Sequence, residues 1–380
     1  MQKNSTNFFS KIFLLLIIFG IWKINFAETN TDWNWFGDFP WIYNDKEQDW
    51  HYLKAGSDGQ FYLYKNSEKT WYFFESKSKN WSAFTPKTKT DNSSKESNEK
   101  SSTKKTNLIS NLGTVQSMTL TVEGVSRDYQ LYIPTSYDGT KPLPIVFNFH
   151  GFGGTASDHM KTADMRTLAN NEMFFLVYPQ GSLLGGYSHW NAAMPGGDNK
   201  STANDTGFFE AMLTSISSSY KVDPTRVYAC GYSNGGFFSY FLAGTKSNLV
   251  AAIGSVSGTM LEGNPDPTNP TPVISIHGTS DTVVPFSGGN GYLSNSDVLN
   301  YWANKNGAIT TPVITNLTSG YVTVEKSTFL DSSDIIWVEG YKINGGDHVW
   351  FDLDLNGFDT NQLIWNFFSK HSLKGPVSSE

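Results

Sequence analysis

Between residues 117 and 372 the chain alternates short apolar runs with longer amphipathic ones. TLTVEGVSRDYQLYIP predicts an opening pair of strands turning at Gly124. PLPIVFNFHG predicts a buried strand over Leu143–Phe149, and FFLVYPQG predicts the next one. Between them, ASDHMKTADMRTLANNE reads as helical. FFEAMLTSISSSY then predicts a helix, TRVYACG a strand and FFSYFLAGT a helix. AAIGSVSG and PVISIHGTSD follow as strands, a further strand covers Ile335–Ile343, and the Leu355–Phe368 region closes with a helix. Short continuous apolar runs bounded by glycine mark strands covered on both faces. Their alternation with helices predicts an α/β class domain over residues 109–375, built on a mostly parallel sheet with helices on both sides. Functional groups are then expected in loops at the carboxyl ends of the strands.

The pattern differs ahead of that domain. An apolar run from Ile12 to Trp22 follows Lys3 and Lys11. Eleven residues are too few to span a bilayer but suit the core of a signal peptide, so residues 1–27 read as a leader cleaved after Ala27. The alternative is an uncleaved anchor, the one case in which membrane contact is expected. Residues 29–83 hold Trp33, Trp35, Trp41, Trp50, Trp71 and Trp81, with QFYLYKN and TWYFFES as short aromatic strands between turns. This predicts a small aromatic-rich β module. Its rings either form a small core or face outward to bind carbohydrate or another surface. Residues 84–108 are a flexible polar linker, with no apolar side chain from Pro86 to Thr106.

Composition narrows the function. With 12 Trp and 15% aromatic residues the chain is not a disordered one. A net charge of −7 offers no broad basic face, so no nucleic-acid partner is expected. A single cysteine excludes an intramolecular disulfide and cysteine-held metal clusters. The seven histidines include no His-x-x-x-His pair, so no metal or cofactor is expected. A leader places the protein outside the cytoplasm, as a secreted or surface-associated chain.

The candidate chemistry centres on TRVYACGYSNGG. Gly231, Ser233 and Gly235 are spaced G-x-S-x-G where a strand stops and a helix begins, the context of a nucleophile elbow. Cys230, inside the strand, reads as a small buried apolar residue. A serine hydroxyl needs a base. His348, on the turn GGDHV, is the first candidate, with His277 and His150 as alternatives after apolar strands. Asp281, in the loop GTSDTVVP, is the candidate acid, and the order Ser233, Asp281, His348 is that of an α/β-hydrolase. Asp347, adjacent in sequence to the histidine, points awkwardly for that role, and Asp352 and Asp354 are the fallbacks. Acyl transfer also needs N–H groups aimed at an oxyanion. Asn234, next to the serine, and Phe152, in HGFGG, are the candidate backbone donors.

These motifs, together with YQLYIPTSY, SHWN, YWANKNG and GGDHVWF, make residues 117–372 resemble the secreted esterases grouped with polyhydroxybutyrate depolymerases and feruloyl or acetylxylan esterases. The resemblance implies an α/β-hydrolase that cleaves carboxylic esters, polymeric ones included, without a cofactor. Carried over, the nucleophile falls on Ser233, the acid on Asp281, the base on His348, and the oxyanion donors on Phe152 and Asn234. Trp190 and Trp350 fall on segments expected to line the substrate cleft. Many such relatives carry disulfides near the site; here Ala308 stands after Gly307, where one commonly begins. The readings that compete with a polysaccharide esterase are a polyhydroxyalkanoate depolymerase, a serine peptidase and a non-catalytic surface-binding protein.

Overall fold

The computed structural model describes residues 113–194, 201–289 and 291–377, together with six strands of the N-terminal region. The expected leader and linker lie outside the described residues. The chain divides into two units, Met1–Ser97 and Asn98–Glu380. The first contains an antiparallel meander of β1 (Trp33–Asn34), β2 (Trp41–Asn44), β3 (Asp49–Ala55), β4 (Phe61–Lys65), β5 (Thr70–Glu75) and β6 (Asn80–Ala83). The register sets Trp41 opposite Tyr52, Tyr52 opposite Tyr64, and Tyr64 opposite Trp71, so four aromatic positions form one row across four strands.

The second unit is built on a ten-stranded sheet. Its strands are β7 (Val115–Val122), β8 (Val125–Tyr132), β9 (Leu143–Phe149), β10 (Phe175–Pro179), β13 (Val222–Tyr232), β14 (Ala252–Val256), β15 (Val273–Gly278), β16 (Val313–Ser319), β17 (Val322–Leu330) and β18 (Ile336–Ile343). Their spatial order is β16-β17-β18-β15-β14-β13-β9-β10-β8-β7. The six strands from β18 to β10 run parallel, and the outer pairs on each edge are antiparallel. This is the α/β-hydrolase arrangement.

Helices cover both faces, which is why the central strands read as continuous apolar runs. All seven residues of β9 are buried. Ile145, Phe147 and Phe149 point to one face, where they join Phe208, Phe209 and Met212 of the helix Asp205–Ser219 and Phe238 of the helix Asn234–Thr245. Val146 points to the other, with Tyr228, Cys230 and Ile276, and with Ile364, Phe367 and Phe368 of the helix Thr360–Phe368. Each such side chain removed from water contributes about 1.5–3 kcal/mol before entropy is counted.

One expectation needs correction. Residues 156–172 form two short helices, Ala156–Thr162 and Arg166–Glu172. The buried Tyr178 hydroxyl explains how the break is tolerated. It donates to the Ala163 carbonyl at 2.5 Å and accepts from the Met165 N–H at 3.1 Å, satisfying two backbone groups that leave the helical ladder. The sequence reading also omitted the hairpin of β11 (Ser182–Leu184) and β12 (Tyr187–His189), the β16–β17 pair and the helix Asn295–Lys305.

Candidate active site

Strand β13 ends at Tyr232, and the helix Asn234–Thr245 starts two residues later. Ser233 occupies the corner with φ 52° and ψ −117°, a conformation that side chains rarely adopt and that marks stored strain. The turn is possible because its flanks are glycines. A Cβ on Gly231 would lie 2.5 Å from the Gly235 carbonyl carbon and 2.8 Å from the Phe149 oxygen. The strained serine is held by its own backbone, its N–H donating to the Val256 carbonyl and its carbonyl accepting from the Phe237 N–H.

His348 reaches this corner from the loop after β18. Its Nε2 lies 2.9 Å from Ser233 Oγ, and its Nδ1 lies 2.7 Å from Asp281 Oδ2. Asp281 comes from the loop after β15, and its side chain is fully buried. Its Oδ1 accepts the N–H groups of Val283 and Val284 at 2.9 and 2.8 Å, which aims Oδ2 at the imidazole. The arrangement lets His348 take a proton from the serine while the carboxylate fixes the ring tautomer and faces the charge that forms.

The competing histidines sit elsewhere. His277 Nε2 donates to the Val284 carbonyl at 2.9 Å and lies 3.3 Å from Asp281 Oδ2. Burial lowers its pKa, so it braces the Asp281 loop as a neutral ring. His150 Nδ1 donates to the Gly151 carbonyl at 2.7 Å, and its Nε2 accepts the Gly181 N–H at 2.9 Å. Burial holds its pKa down at about 4. It therefore shapes the HGFGG turn. Asp347 accepts the His348 N–H, and Asp354 accepts the Gly357 N–H; both make local turn contacts. Cys230 is buried, and burial pushes its thiol up.

The HGFGG turn passes beside the serine: a Cβ on Gly151 would come within 3.4 Å of Ser233 Cβ. Phe152 lies at its tip, half exposed. The Asn234 N–H opens a helix and has no acceptor within that helix. Its side chain is clamped, Oδ1 accepting the Trp190 N–H at 2.7 Å and Nδ2 donating to the Trp190 carbonyl at 3.0 Å.

Trp190 differs from expectation. Only 1% of it is exposed, its indole donates to the His150 carbonyl, and its ring packs on Phe149 and Phe238. It offers substrate no accessible ring face and acts as a post between the HGFGG turn and Asn234. Trp350 is half-buried, edge-on to His159 at 5.4 Å. Burial lowers the His159 pKa to about 3 and leaves it a neutral partner of Asn148.

Two residues at the site escaped the sequence reading. The Tyr232 hydroxyl donates to the His348 carbonyl at 2.7 Å. Ser257, buried at φ 50° after β14, donates to the Val349 carbonyl at 2.7 Å. Together they anchor the histidine loop to the two strands nearest the serine. Tyr232 carried a weak signal, being an unspecified position of the G-x-S-x-G motif; Ser257 carried none. Among the described residues no group of three or more His, Cys, Asp or Glu is placed to hold a metal ion.

Residues 123–286 match the family described as putative esterase. The chain is 27% identical over 257 residues to the bifunctional acetylxylan esterase/xylanase XynS20E of Neocallimastix patriciarum, covering 68% of this chain and 35% of that protein. It is 27% identical over 269 residues to feruloyl esterase D of Neurospora crassa, covering 67% and 86%. It is 31% identical over 169 residues to the probable feruloyl esterase C of Aspergillus clavatus, covering 43% and 58%. Thus the chain spans about a third of the first and little more than half of the last. A solved acetyl xylan esterase from Aspergillus awamori superposes with a TM-score of 0.48 at 16% identity, over 67% of this chain and 98% of that one.

Proposed function

We propose that this chain, whose residues 123–286 match the putative-esterase family and which is similar to proteins named feruloyl and acetylxylan esterases, is an exported serine hydrolase of polysaccharide esters. The observation that carries the reading is the His348 ring, within hydrogen-bond reach of Ser233 Oγ on one side and Asp281 Oδ2 on the other. His348 removes the hydroxyl proton as Ser233 Oγ attacks the ester carbonyl carbon. The oxyanion is received by the Phe152 and Asn234 N–H groups. Collapse breaks the bond to the alcohol oxygen, and His348 gives that oxygen the proton. Water, deprotonated by His348, then attacks the acyl-serine; the acid departs and Ser233 regains its proton. No step calls for a metal or a nucleotide.

The substrate class is feruloylated or acetylated polysaccharide, supported by relatives named for those activities. The leader read in residues 1–27 supports export, and the aromatic module with its polar tether supports a polymeric target, since tethering raises local substrate concentration. The test is hydrolysis of methyl ferulate, short acyl esters, poly(3-hydroxybutyrate) and peptide anilides by the purified chain, with Ser233→Ala as control. Ester turnover that vanishes in Ser233→Ala is expected. Retention of full turnover in that variant overturns the proposal.

A further inference from the structure

The hairpin β11–β12 is fastened to the HGFGG turn. The Gly153 N–H donates to the Ser188 carbonyl at 2.7 Å, and the Ser188 hydroxyl donates to the Gly154 carbonyl. Gly181, at the foot of the hairpin, is held by His150 Nε2. On top of this braced unit two rings lie in the open. Phe152 is 49% exposed and Tyr187 61% exposed, stacked at 5.8 Å with 19° between planes. Leu183 and Leu184 of the same hairpin are exposed beside them in sequence. The two stacked rings are thus exposed apolar surface on a braced support, at the turn that carries the proposed oxyanion donor.

We propose that the Phe152–Tyr187 pair is a stacking subsite for the aromatic ring of a hydroxycinnamoyl acyl group. The inference rests on the esterase reading above. If the Phe152 N–H receives the oxyanion, the reacting carbonyl sits within one residue of this ring pair. Sheet order then assigns the side. His348 and Asp281 follow β18 and β15, which lie beyond β14 on one flank of β13. Phe152 follows β9 and Tyr187 lies in the hairpin after β10, on the opposite flank. The departing alcohol takes its proton from His348 and so leaves on the first flank. The acyl group extends toward the second, where the rings are. A flat conjugated acyl group gains from stacking there; an acetyl group has no surface to stack.

The experiment compares kcat/KM for methyl ferulate and methyl acetate in the full chain, Tyr187→Ala, Tyr187→Phe and Ser233→Ala. Tyr187→Ala is expected to lose roughly 2- to 13-fold on methyl ferulate, the range of an aromatic pair, while methyl acetate turnover is unchanged. Tyr187→Phe keeps the ring and should keep the ferulate rate. An equal loss on both esters, or no loss on ferulate, overturns the subsite while leaving the esterase reading intact. Absence of serine-dependent turnover on every ester overturns the esterase reading and the subsite together.

Discussion

The Tyr232 hydroxyl, one residue before the proposed nucleophile, donates a 2.7 Å hydrogen bond to the backbone carbonyl of His348, the proposed base. The two residues meet across 116 positions of chain, and the ring planes lie 38° apart with centroids at 5.1 Å. Burial, with Asp281 and Asp347 adding to it, pushes the phenol up to about 12, so it remains a donor at neutral pH. Tyr232 thus positions the base without touching the reacting atoms. Tyr232→Phe removes one hydrogen bond of about 1 kcal/mol and should lower kcat about 5-fold, with KM unchanged. Steady-state kinetics on a small soluble ester check this, and a rise in KM alone would contradict it.

Asp281→Asn tests the acid. Oδ1 is committed to the Val283 and Val284 N–H groups, so an asparagine keeps its oxygen there and turns its NH2 toward His348. Nδ1 must then accept, which forces the ring proton onto Nε2, facing the serine, and abolishes base function. A fall in kcat of about three to four orders of magnitude is expected with little change in melting temperature. Activity within tenfold of the parent would remove Asp281 from the proposed mechanism.

What the sequence made legible follows burial. Strands β9, β10 and β15, and β13 from Val227 to Gly231, are covered on both faces, so their composition alone marks them. Strand β16, exposed over its first four residues, carries Thr and Asn and reads as loop. The helix Asn295–Lys305 has buried apolar residues at Val298, Leu299, Trp302 and Ala303 and a Ser294 cap; the helical spacing was there but was masked by six polar neighbours in eleven positions. At the site, Ser233 stood out through glycines that its turn requires, and Asp281 and His348 through chain order. Tyr232 and Ser257 did not, because their roles consist of contacts with backbone carbonyls more than 90 residues away. Trp190 was misplaced for the same reason: a tryptophan in a loop motif reads as cleft lining until its partners, Asn234 and the His150 carbonyl, are known.

The glycine before the elbow should tolerate no side chain. A methyl on Gly231 meets only backbone, the carbonyl of Gly235 at 2.6 Å and that of Phe149 at 2.8 Å, and neither can rotate away. Gly231→Ala should cost at least about 1–3 kcal/mol and displace Ser233 from His348. Urea unfolding and turnover measured on the same preparation check both effects. A variant of parental stability and activity would show the elbow to be more pliant than its geometry implies.

Stability should fall on mild acidification because several histidines are buried neutral. Burial lowers His150 and His371 to about 4 and His159 to about 3, whereas an unfolded histidine titrates near 6.5. Between those values the unfolded chain binds protons that the folded chain refuses. Their contribution is therefore complete above about pH 6.5 and is lost as pH falls toward 4, each histidine adding up to about 1.4 kcal/mol per pH unit to the slope. His371 isolates the effect from the active site, since it sits on β19 (His371–Ser372) against Trp337 and Phe367. His371→Gln should flatten the decline between pH 6.5 and 5 by up to that slope. Denaturant midpoints at pH 7.5, 6.0 and 5.0 provide the measurement; midpoints that stay level in the parent chain would show that these rings find a way to charge without unfolding.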